Sequence, residues 1–122
     1  MNIIVDSKKY DEYQEEILKC IIRSIRSTLE NKEIDKDVIE DLTGSLAFGI
    51  SAIIDSSAVM GTEDNPILPY LAFSKNIEEK DTLIVNKGGS YLHEMVFSCI
   101  DDVFEEEYDE EDSYPPLDSI TK

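Results

Sequence analysis

Positive charge is scarce in this chain of 122 residues. Eleven Lys and Arg stand against 28 Asp and Glu, a formal net charge of −17 with the single His neutral. Polyphosphate is held by Lys and Arg that displace condensed counterions, so bare DNA and RNA are excluded as direct ligands. Anionic membrane surfaces attract basic segments and are excluded on the same ground. Histidine is limited to His93; a zinc protease needs two His four apart plus a third ligand. Cysteine is limited to Cys20 and Cys99, and neither sits in a CxxC pair. No apolar run approaches the roughly 18 residues of a membrane span. Met1 to Tyr10 lacks a basic segment followed by an apolar one, so no export signal is read there and a cytoplasmic location with reduced thiols is expected.

Complete catalytic motifs are missing as well. Gly88-Gly89-Ser90 matches neither a Walker loop nor GxGxxG, and reads as a turn whose glycines allow positive φ. A Ser90–His93–Asp triad has no nucleophile elbow behind it. A pairing of His93 with Cys99 spans six positions, which is not one helical face; Cys99 reads as a small core residue. Residues 101–112 contain no Gly, so an EF-hand is absent. The expectation is a protein without catalytic residues, resident metal or cofactor.

The chain does contain regular apolar periodicity. From Ser7 to Asn31, Tyr10, Tyr13, Ile17, Ile21, Ile25 and Leu29 recur at helical spacing, with Leu18 and Ile22 widening the stripe. Ser7 is placed to cap this helix. The preceding run Asn2-Ile3-Ile4-Val5 reads as a small edge strand. Asp37–Met60 fits a helix through Val38, Ile39, Leu42, Leu46, Ile50 and Ile53, while Leu46, Phe48, Ile50, Ala52 and Ile54 alternate as in a strand. A helix to about Asp55 is preferred, because Ser45, Gly49, Ala52 and Ser56 form one stripe of small residues that lets a neighbour approach. Gly61–Pro66 reads as a polar turn. Ile67–Ser74 and Thr82–Asn86 then read as the two arms of an antiparallel hairpin, Pro69 suggesting an edge position. Ser90 is placed to cap a last helix to about Glu107, burying Leu92, Val96, Cys99, Ile100 and Val103, with Phe97 and Phe104 on its flank. The predicted fold is α+β, mainly helical with three helices and a small antiparallel β-hairpin, one compact domain over 1–112 and a flexible tail over 113–122.

The negative charge is concentrated. Residues 1–100 hold 18 acids and 10 bases, whereas residues 101–122 hold 10 acids and one base. Acids at a helix C-terminus oppose its macrodipole, so Glu105, Glu106 and Glu107 cost local stability that a basic partner would restore. Tyr108 and Tyr114 are interleaved among these acids, a combination suited to an interface where rings give contact area and charge gives steering. The expected partner-binding residues are Asp101, Asp102, Glu105, Glu106, Asp109, Glu110 and Asp112 for charge, with Tyr108 and Tyr114 as anchors.

In size, acidity and lack of a catalytic motif, the chain resembles bacterial toxin-immunity proteins, including those of contact-dependent growth inhibition systems. The resemblance covers the general character of the whole chain and rests on no motif. It implies an inhibitor that occludes the positively charged surface of a cognate toxin nuclease, an RNase or a DNase. Two alternatives use the same acids differently. A nucleic-acid mimic or adaptor would bind a DNA-binding regulator, and a metal-dependent enzyme would gather scattered carboxylates into a buried cluster.

Overall fold

The computed structural model describes residues 1–58, 60–74, 78 and 82–105. The elements run β1 (Asn2–Val5), α1 (Ser7–Glu30), α2 (Lys36–Ile54), β2 (Thr82–Val85) and α3 (Leu92–Glu105). The boundary placed at 112 and the helix end at Glu107 lie outside the described residues.

Helix α1 is the central element and packs on α2, α3 and β2. Its buried line is Tyr10, Gln14, Leu18, Ile22, Ile25 and Arg26, with Ile17, Ile21 and Leu29 only partly buried. The buried line is thus rotated from the expected stripe: it runs through Leu18 and Ile22, expected only to widen it, while Tyr13, Ile17, Ile21 and Leu29 sit at its border. Its cap is Asp6 rather than Ser7. The Asp6 carboxylate accepts from Lys9 N at 3.1 Å, while the Ser7 hydroxyl donates to Asn86 Oδ1 at 2.9 Å.

Residues 46–54 belong to α2 and are helical. The small residues that allow close packing are not those expected. Ser45 and Gly49 are exposed; Ile39, Thr43, Ala47 and Ser51 turn to the core, and Gly44, buried beside them, has nothing within 4 Å of the place a Cβ would take. The helix ends at Asp55, followed by Ser56 at φ 69°, whose hydroxyl donates to Pro69 O at 2.7 Å.

Helix α3 buries Leu92, Val96, Cys99, Ile100 and Val103 against Leu18, Ile22, Ile25 and Ala47. Its start is fixed by α1. Gln14, fully buried, accepts at Oε1 from Ser90 Oγ at 2.8 Å and from Tyr91 N at 3.0 Å. Ser90 Oγ in turn accepts from Leu92 N at 3.3 Å. The last turn of α3 carries no basic residue of its own. Arg26 of α1 supplies one, donating to Val103 O at 3.1 Å with its guanidinium 5.2 Å from the Phe104 ring centre. Some of the macrodipole conflict at this helix end is thus offset from within the domain.

The antiparallel hairpin is not formed. The sheet has two strands, β1 and β2, and they are parallel, with Asn2 opposite Thr82 and Val5 opposite Val85. The fold is α-dominated with a small parallel sheet. Of the run 67–74, only Phe73 meets β2, through an isolated antiparallel bridge with Ile84 (N–O distances 3.0 and 2.7 Å). Pro69 removes one donor from that run, which favours ladder formation at its far end. The other edge of β2 is taken by β1.

Candidate functional site

Helices α2 and α3 run antiparallel, as two contacts show: the end of α2 at Asp55 meets the start of α3 at His93, and Asp41 and Asp101 line the same groove. Between them lies an open groove of about 880 Å³. Its floor is apolar and small, formed by Phe48 and Gly44 of α2 and Phe97 and Ile100 of α3. Its rim carries Asp37, Glu40, Asp41 and Asp101, with Lys36 as the one basic group among the described residues. None of the four carboxylates takes part in an ion pair among the described residues.

This composition follows from helical spacing. Positions 37, 40, 41, 44 and 48 are separated by three or four residues and share one face of α2, and 97 and 101 share one face of α3. Carboxylates beside an apolar floor sit next to low-dielectric walls, which focus the negative potential and steer cations toward the groove.

The floor is held firmly at one end. Phe48 lies edge-on to His93 with ring centres 5.7 Å apart, and 6.2 Å from Phe97. His93 is itself tied to Asp55, whose side chain is shielded from solvent. The Asp55 carboxylate accepts from His93 N at 2.9 Å and from the His93 ring through Nδ1. Ser57 N donates to Asp55 Oδ1 at 3.0 Å. Burial pushes the Asp55 carboxyl up, but these hydrogen bonds from His93 and Ser57 outweigh it and hold the group below its ordinary value. A carboxylate at the N-terminus of α3 also complements the helix dipole. The Asp55–His93 contact therefore fixes how far α2 and α3 stand apart.

An Asp–His pair invites comparison with hydrolase chemistry. Ser57 Oγ lies 3.0 Å from His93 Nδ1, the same nitrogen that faces Asp55. A triad needs its nucleophile on the opposite nitrogen, and among the described residues no hydroxyl or thiol is bonded there. Cys99 is not paired with His93 either. It is 2 % exposed, and burial pushes its thiol up to about 11, so it stays protonated at neutral pH. Among the described residues no group of three or more His, Cys, Asp or Glu side chains could hold a metal ion.

Of the residues expected to bind a partner, Asp101 lines the groove. Asp102 turns the other way, 3.6 Å from Lys19 Nζ of α1, which also binds Glu15 at 3.0 Å. Glu105 is exposed at the end of α3. Glu106, Tyr108, Asp109, Glu110, Asp112 and Tyr114 lie outside the described residues. Sequence reasoning missed Asp37, Glu40 and Asp41 as site residues, although their spacing with Gly44 and Phe48 was a usable signal.

Among the described residues no helix is long and apolar enough to cross a membrane. Compared with protein-family models, curated proteins and solved structures, the chain matches none.

Proposed function

We propose that the chain is a small acidic cytoplasmic protein that neutralises a basic protein partner, acting as an immunity protein against a cognate toxin nuclease. The observation that supports this reading is the groove between α2 and α3, where four carboxylates flank exposed aromatic rings. A nuclease carries a positive surface for its phosphate substrate. Carboxylates placed against that surface compete with the substrate and speed association by long-range attraction. An apolar floor suits a protein partner better than the mimicry of nucleic acid, which calls for acids at phosphate-like spacing along an extended surface.

The test is capture from native lysate of the source cells at low and high salt, followed by a nuclease assay on the protein retained. A basic nuclease held at low salt, released at high salt and silenced by one equivalent of the chain is the expected result. Retention of no basic protein, or full nuclease activity in the complex, would remove the proposal.

A further inference from the structure

The groove between α2 and α3 has the form of a vacant helix position. Three helices already pack against one another, α1 touching both α2 and α3. From Asp37 to Phe48 the groove follows α2 for about 16 Å, or three helical turns. Both walls are helices, whose backbone groups are hydrogen-bonded within themselves. An extended peptide laid there would find no partners for its own N–H and C=O groups, whereas a helix brings its own.

The floor also has room for a closely approaching backbone. Gly44 sits mid-helix with no positive φ, and a Cβ built on it would meet nothing within 4 Å. Neither backbone conformation nor packing inside this molecule requires glycine there, although glycine weakens a helix. Gly49 is equally unconstrained on an exposed face, so it is the place of Gly44 in the groove that matters: the open space there admits close approach from outside. The charge selects the occupant, because Asp37, Glu40, Asp41 and Asp101 require basic groups on either side of an apolar strip. A second copy of this chain, at −17, is repelled.

We propose that the groove receives an amphipathic, basic α-helix of the partner. The helix lays its apolar face on Phe48, Phe97 and Ile100, approaches closely at Gly44, and sends Lys or Arg to the carboxylates on the rim. This rests on the basic-partner reading given above and specifies how that partner is held.

The test uses labelled peptides of about 18 residues, or five helical turns, built only from Leu and Lys. In one, the Leu residues share a helical face; in the other, of the same composition, they do not. Fluorescence anisotropy is read at low and physiological salt, and helicity by circular dichroism. The periodic peptide should bind at least about tenfold tighter than the permuted one and gain helicity on binding. Phe97→Ala should weaken it about tenfold with the thermal midpoint unchanged, since Phe97 is 65 % exposed. Gly44→Ala should weaken binding while raising the thermal midpoint by a few degrees. Equal binding of the two peptides, or indifference to both substitutions, overturns the helix receptor. If that equal binding is salt-sensitive, the basic-partner reading survives; if neither peptide binds, that reading falls with it.

Discussion

Helices α1 and α2 are both long, and each packs on the other and on α3, yet they are built in opposite ways. Helix α1 hides large side chains: Tyr10, Leu18 and Ile22 are fully buried. Helix α2 hides one large residue, Ile39, beside the small Thr43, Ala47 and Ser51, and leaves Leu46, Phe48, Ile50 and Ile53 between 38 and 50 % exposed. Ser51 Oγ is buried without a hydrogen-bond partner among the described residues, so size rather than hydrogen bonding explains its place. The contrast separates two tasks. Helix α1 carries most of the cohesion of the domain, and α2 lends mainly small residues to the core while presenting most of its larger ones outward.

Substitutions at matched positions test that division. Leu18→Ala empties a fully buried site and should cost about 2–5 kcal/mol in denaturant unfolding. Leu46→Ala, at 48 % exposure, should cost less than about 1 kcal/mol. Equal losses would dissolve the contrast. Next in size is Asp55→Ala, which removes the acceptor joining the end of α2 to the start of α3 and leaves His93 N without it. A loss of about 1–3 kcal/mol is expected. The same carboxyl gives a pH dependence. Its folded value lies below the unfolded one, so its contribution is complete above the ordinary carboxylate value and is lost as pH falls through the folded value. Acid titration of stability should therefore be shallower in Asp55→Ala than in the parent. The smallest effect has the opposite sign: Gly44→Ala should stabilise the free protein by about 1 kcal/mol, because the new methyl meets nothing.

The three helices could be read from apolar periodicity, and α3 buries the face its sequence indicated, Leu92 through Val103. The sheet could not be read so. Periodicity reports that Thr82–Val85 is β-prone but not which strand it joins, and proximity in sequence pointed to 67–74 rather than to Asn2–Val5. For α2, the alternation of Leu46, Phe48 and Ile50 competed with the helical period, and the large residues misled because they are the exposed ones. Of the groove's carboxylates only Asp101 was singled out from the sequence. Charge density drew attention to 101–112, whereas Asp37, Glu40 and Asp41 become a site through their juxtaposition with α3 across Phe48 and Phe97. That juxtaposition is tertiary, set by the core and the Asp55–His93 contact.

The parallel pairing of Asn2–Val5 with Thr82–Val85 also has a consequence in time. Most of the described chain, including two of the three helices, lies between the partners, so this ladder closes a long loop. Closing a loop of that length costs entropy that local helix formation does not. During synthesis the first strand emerges long before its partner exists, and Ile3, Ile4 and Val5 remain exposed even once paired, so pairing gains little apolar burial. Loop-closure entropy with little compensating burial makes the sheet the expected late step of assembly, following helices that can form locally.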